Sequence, residues 1–245
     1  MSAGRRELED QVVDFSHRLH ARGWVANHDG NVTVRLGDNR FLITPTATSK
    51  AAVTRESLLI VDERGQIVAG KNKPFGELEL HLLVYRQRPD VMAVLHAHPP
   101  TATGLAVAGV PIRTTLLCEP VVSLGRSIPL VSYAAPKTPE STAHLAPALE
   151  DADALVLEQH GVLTCGPDLE TAYLRMELVE HLAKIQLVAS STGTAREIPS
   201  KDIDALVSAR AKAGLGKAAR AGVKPLARIE TVVAEELRKV MGERR

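Results

Sequence analysis

His96-Ala97-His98 closes the apolar run Val91–Leu95, and Gln159-His160-Gly161 follows a second apolar run, Ala154–Leu157. Apolar runs of this length, bounded by turn residues, read as buried strands. On a strand, residues i and i+2 share a face, so His96 and His98 project side by side. Pro99-Pro100 stops the strand there. His160 arrives at the end of its own strand in the same way. Three imidazoles on two strand ends suit a divalent transition metal with an open fourth position. Zinc is the expected ion, and manganese, cobalt or iron also suit such a set, since selectivity depends on supply as well as affinity. The competing reading is three unrelated histidines.

Glu77 is the next residue able to do chemistry. It follows Pro74-Phe75-Gly76 and opens a helix directly before the metal strand. A carboxylate there could be a fourth ligand, a general base, or both in turn. Equally, it could serve only the positive helix N-terminus. His81 lies one turn on, on the same face, either supporting Glu77 or simply packing in the helix. Glu79 points the other way, to solvent. Asn31 and Thr46 sit in polar turns flanking strands. They offer an amide, a hydroxyl and backbone N–H groups to a substrate, or ordinary turn chemistry.

Several elements must position these groups. Leu8, Val12, Phe15 and Leu19 recur at helical spacing over 5–22, and Gly23 ends that helix. Strands are expected at Asn31–Leu36, Phe41–Thr44, Leu58–Asp62 and Gln66–Ala69, joined as antiparallel hairpins. Glu77–Gln87 reads as a helix with Leu80, Leu83 and Val84 inward. Thr101–Ala108 reads as a short helix, Ile112–Leu117 and Ile128–Val131 as strands. Thr138-Pro139-Glu140 opens a helix to Leu149. After strands Ala154–Glu158 and Val162–Cys165, Asp168 caps a helix to about Ser190, with Ala172, Met176, Val179, Ala183 and Leu187 on one face. Residues 190–194 read as a linker. One or two helices follow, broken at Gly214-Leu215-Gly216 and Gly222–Pro225. Short strands with helices laid around them predict an α/β fold, an α/β/α sandwich about a mostly antiparallel sheet.

The chain has 245 residues, 44% hydrophobic, with a formal charge of +1. That length and composition suit one large domain or a domain with an appendage. The reading divides it into residues 1–190 and a basic helical extension, 191–245, acting as a lid or a subunit contact. No aromatic residue interleaves the charges of that extension, so nucleic acid is not the expected partner. No stretch approaches 18 uninterrupted apolar residues, so no membrane span is expected. Cys118 and Cys165 form no CxxC pair, and the first ten residues lack a signal-peptide core, which predicts a cytoplasmic location.

Together, Gly30-Asn31-Val32-Thr33-Val34-Arg35, Leu42-Ile43-Thr44-Pro45-Thr46, Gly76-Glu77, His96-Ala97-His98 and Gln159-His160-Gly161 resemble the class II aldolase/adducin family in order and spacing. The resemblance covers about residues 5–190. It implies a nine-stranded, mostly antiparallel sheet between helical layers, and a homotetramer with active sites at subunit interfaces. It implies zinc on His96, His98 and His160, with Glu77 binding metal in the empty enzyme and then acting as acid/base. The metal would chelate a carbonyl and an adjacent hydroxyl of a small-molecule substrate and stabilise an enediolate.

This chain also departs from the family pattern. Where the sugar-phosphate members carry two serines before the acidic residue, it has Phe75 and Gly76, and their Thr-Gly loop is Thr46-Ala47. Losing two hydroxyls removes donors from a phosphate dianion. With Asn31 and Thr46, Phe75 and Gly76 are therefore read as substrate-binding positions, Phe75 flanking an apolar part of the substrate. The tyrosine that protonates the leaving aldehyde in the aldolase is absent near 113–116, where Arg113 is either its substitute or a surface ion-pairing residue. These departures put decarboxylation of a small non-phosphorylated hydroxy-, oxo- or catechol-type acid first. Retro-aldol cleavage of a sugar or sugar phosphate is the alternative, and a non-catalytic adducin-like binding module the second alternative.

Overall fold

The structure, a computed structural model, describes residues 4–37, 39–135 and 138–216. Eight strands form one sheet: β1 Asn31–Gly37, β2 Arg40–Ile43, β3 Leu59–Asp62, β4 Ile67–Ala69, β5 Ala93–Ala97, β6 Leu130–Val131, β7 Ala154–Leu157 and β8 Gly161–Gly166. Their order is β4-β3-β2-β1-β5-β8-β7-β6. Every pairing is antiparallel except β6 with β7. The family resemblance implied nine strands, and the described residues hold eight.

The helices are α1 Arg5–Ala21, α2 Leu78–Gln87, α3 Pro100–Val107, α4 Cys118–Ser123, α5 Pro139–Ala148, α6 Leu169–Thr192 and α7 Ser200–Lys212. Strand alternation sorts the core into two layers. Val32, Leu42, Ala93, Leu95 and Val156 face α1, α3 and α6. Phe41, Ile43, Val94, Leu155 and Leu163 face α2 and α5. The expected α/β/α sandwich is therefore present, and the site lies on its α2 face.

Three local expectations are corrected. The stretch predicted as a strand at 112–117 instead forms a 3₁₀ turn at Thr114–Leu116 and then α4. Its backbone pairs with α6 and the chain after it: Arg113 N–H donates to Gln186 Oε1 (2.8 Å), and Ile198 N–H donates to Thr115 O (2.9 Å). For the same reason Leu187 is 51% exposed, because buried Gln186 takes the inward position of that turn. On α2 the expected Leu80 and Leu83 are partly buried and pack against the core, and Val84 is buried together with Leu78, His81, Leu82 and Tyr85. The supposed linker begins late, since α6 runs to Thr192 and Gly193 follows as its C-cap.

The described part of the C-terminal extension docks on the body. Arg210 of α7 is buried, donates to Val122 O (2.8 Å) and pairs with Asp153 (3.2 Å). Asp153 also meets Arg88 (2.8 Å) and Arg175 (3.0 Å). The helix stops before the first predicted break, at Gly214-Leu215-Gly216. The second, at Gly222–Pro225, lies outside the described residues.

Candidate metal centre

Register brings the site together from four elements. His96 of β5 lies opposite Asn31 of β1 and opposite Leu163 of β8. His98 follows one step beyond β5, where its N–H donates to Trp24 O (2.8 Å). His160 occupies the tight β7–β8 turn, behind Gln159, which adopts a left-handed backbone (φ 54°). Gly161 completes the turn for a steric reason. A Cβ there would lie 2.5 Å from Ala97 O and 2.5 Å from His98 Cδ2, so only glycine lets the two strand ends close. Glu77 stands at the N-cap of α2, above the same face.

The three imidazoles converge, each offering one ring nitrogen, all within 4.8 Å of one another. Two of the rings have their tautomers set by their partners. His96 Nδ1 faces Val162 O at 3.0 Å, and His98 Nδ1 faces Asp29 Oδ2 at 2.9 Å. Both partners are acceptors, so each Nδ1 carries the proton and each Nε2 keeps a lone pair. Those two Nε2 atoms face each other at 3.1 Å. Burial, outweighing the pull of Glu77, pushes His96 down to about 3, and it also lowers His98. Two neutral nitrogens with facing lone pairs are repulsive without a cation between them. The donor set therefore fits a divalent ion.

Glu77 completes the arrangement. Its Oε1 lies 2.6 Å from His160 Nε2, and its Oε2 lies 3.6 Å from His96 Nε2 and 3.2 Å from Asn31 Nδ2. Burial pushes the carboxyl upward. The facing His96, the His160 hydrogen bond and the Asn31 amide together outweigh that and hold it well below the usual carboxylate range. Glu77 and His160 both line the wall of a cavity of about 330 Å³, shared with Gly76, Leu80, Ser141 and Thr142.

The other positions predicted to meet a substrate divide. Asn31 and Gly76 are at the site. Phe75 turns inward, 8% exposed, and packs edge-on against His81 with centroids 5.1 Å apart. Thr46 is half-buried in the turn after β2, its N–H donating to Lys73 O (3.0 Å). Beside it, Ala47 adopts φ 52°, a left-handed conformation that costs a non-glycine residue roughly 1–2 kcal/mol. The loop thus keeps the shape a glycine would favour, although the glycine is gone. Arg113 pairs with Glu197 (3.4 Å), the surface ion-pair reading.

Three relevant residues escaped the sequence reading. Asp29, which orients His98, lies just ahead of the Gly30-Asn31 motif, but nothing local shows that it crosses to β5. Lys50 is 1% exposed, with Nζ donating to Thr48 O (2.9 Å), and burial lowers its pKa against the pull of Asp29. A lone lysine in a loop reads as solvated, so it gave no signal. Tyr133 lines a second cavity of about 280 Å³ together with Gln159 and His160. The chain's other tyrosines, Tyr85 and Tyr173, are buried.

Among the described residues, an eight-stranded α/β sandwich carries at its strand ends three histidines able to hold a metal ion, with the Glu77 carboxylate beside them at the N-cap of α2. Residues 10–187 match the family described as "Class II Aldolase and Adducin N-terminal domain", and the chain belongs to that family. It is 32% identical over 184 residues to an L-fuculose phosphate aldolase of Methanococcus vannielii, covering 74% of this chain and 96% of that one. An L-fuculose phosphate aldolase of Escherichia coli is 33% identical over 183 residues, covering 75% and 84%. The solved structure of an L-fuculose 1-phosphate aldolase superposes with a TM-score of 0.77 at 25% identity, over 84% of this chain and 97% of that one. These relatives bear the name of the aldol reaction, which favours the alternative over decarboxylation, put first from the sequence. Decarboxylase is one of three activities named together for a solved Escherichia coli structure, 27% identical with a TM-score of 0.75 over 82% of this chain and 97% of that one. Among the described residues no helix is long and apolar enough to cross a membrane.

Proposed function

We propose that this protein is a zinc-dependent aldehyde-lyase that cleaves a small sugar or sugar phosphate by a retro-aldol reaction. The observation that carries this reading is Glu77 beside His160 (2.6 Å) at the wall of an open cavity, with three imidazole nitrogens converging behind it. The likeness to enzymes named for that cleavage supports it. A binding module would need neither the converging nitrogens nor a carboxylate held ionised next to them.

A divalent ion on His96, His98 and His160 would supply Lewis acidity toward a carbonyl and its neighbouring hydroxyl. The chain supplies the rest. Val162 and Asp29 hold two rings in the ligating tautomer. In the cleavage direction the β-hydroxyl gives its proton to solvent, its C–O bond becomes the aldehyde carbonyl, and the carbon–carbon bond breaks with its electrons left on the carbonyl fragment. Glu77, ionised at rest, takes a proton from solvent and delivers it to that carbon, returning to the carboxylate that Asn31 fixes. Tyr133, which shares a cavity wall with His160, is the candidate for relaying that hydroxyl proton to solvent.

The test is an aldehyde-release assay with purified, zinc-loaded protein on a panel of ketoses and ketose 1-phosphates, run beside a CO₂-release assay on hydroxy- and oxo-acids. Aldehyde from the sugar panel that disappears in Glu77→Gln supports the proposal. Release of CO₂ with no aldehyde would replace it with the decarboxylase reading. The homotetramer with interface sites and the cytoplasmic location belong to the same proposal, and sedimentation of the full chain tests the first.

A further inference from the structure

A polar seam runs between α2 and β1, inside an otherwise apolar layer. Glu77, His81 and Tyr85 recur every fourth residue along one face of α2, and Asn31 and Thr33 share one face of β1. They meet rung by rung. Asn31 Nδ2 donates to Glu77 Oε2 (3.2 Å), Thr33 Oγ1 meets His81 Nδ1 (2.9 Å), and Thr33 Oγ1 also meets the Tyr85 hydroxyl (2.9 Å). Thr33 and His81 are fully buried, and Tyr85 nearly so. Burying three polar side chains costs free energy that leucines would not incur, so the seam stabilises less than an apolar core of the same shape. What it gives in return is register. A hydrogen-bonded pair fixes the rotation and height of a helix, whereas apolar contacts tolerate sliding.

Two further atoms mark this seam. His81 Nε2 and Asn31 Oδ1 are buried and without a hydrogen-bond partner among the described residues. Each belongs to a group already held at its other polar atom, and each group adjoins or interacts with Glu77. Burial holds His81 neutral, down to about 3. We propose that His81 is the positioning residue of Glu77. Anchored to β1 through Thr33, it sets the first turn of α2 so that the carboxylate stands over the histidine triad. This rests on the metal-site reading above and goes beyond it, since His81 touches neither the triad nor the cavity.

Cobalt(II) uptake tests the proposal without reference to any substrate. Its visible spectrum reports the ligand set, and Glu77→Gln supplies the spectrum of a site without the carboxylate. His81→Phe keeps the ring and its contact with Phe75 but loses the anchor. Its expected result is cobalt affinity weaker by about tenfold and a spectrum moved toward that of Glu77→Gln. His81→Asn, which keeps a polar group near the Nδ1 position, is expected to return both toward wild type. If His81→Phe fails to fold, Thr33→Val removes the other half of the anchor and carries the same expectation. Wild-type affinity and spectrum in the folded variants would overturn the proposal while leaving the metal site standing. Wild-type protein that takes up no cobalt would instead remove the metal-site reading, and this inference with it.

Discussion

Replacing Asp29 with Asn tests how the His98 ring is held. Asp29 makes two contacts: Oδ1 accepts from Ala26 N–H and Oδ2 faces His98 Nδ1 at 2.9 Å. An amide has one acceptor and one donor at those places, so it satisfies only one of them. If its oxygen stays on Ala26, its NH₂ points at Nδ1, and the ring must switch its proton to Nε2, the ligating atom. If the amide flips, the Ala26 N–H loses its partner and the ring keeps only a neutral acceptor. Either outcome loses a hydrogen bond to a charged group, about 1.5–3 kcal/mol in a buried setting. Both contacting side chains are roughly a third exposed (28% and 30%), which places the loss at the lower end. The expected result is zinc affinity lowered about tenfold, near 1.4 kcal/mol, by competition with a chromophoric chelator at pH 7.5. Thermal stability without metal should change far less. An Asp29→Asn protein that binds zinc within twofold of wild type would refute the tautomer argument.

Gly161→Ala should damage both fold and site, since its Cβ meets the Ala97 carbonyl and the His98 ring at 2.5 Å and the carbonyl cannot move aside. A loss of about 1–3 kcal/mol is expected from overpacking, read by denaturant unfolding together with zinc content. Acidification should destabilise the metal-stripped protein. His81 and His96 are pushed down to about 3 from 6.5 by burial, so the unfolded chain binds more protons between those values. Stability is full above pH 6.5 and falls as pH drops toward 3, and Glu77, also lowered, acts in the same direction. A melting temperature that stayed level from pH 7 to pH 4 would contradict this. Tyr133→Phe is expected to lower kcat for aldehyde release at least tenfold with metal content unchanged. An unaltered kcat would remove Tyr133 from the mechanism.

The histidine triad was legible in the sequence because strand periodicity is short-ranged. His96 and His98 share a face whatever the rest of the chain does, and an apolar run before a tight turn presents His160 at a strand end. The hairpins, the capped α6 and the sandwich class follow from equally local patterns. Glu77 was legible as a helix-opening acid, and the quoted motifs carried the family.

Other features needed the fold, because they depend on which strands become neighbours. That β1 lies beside β5 and β8 beyond it is a non-local outcome, and it alone brings Asp29 to His98 and Val162 O to His96. The same pairing places Thr33 beneath α2, where it meets the buried His81 ring. Gln186 displaced Leu187 because the unpaired backbone around Arg113 needed a partner, a demand that no helical pattern records. Local patterns fix which side chains share a face. Only the closed sheet decides what each buried polar atom meets, and an unmet polar atom costs enough to override hydrophobic periodicity.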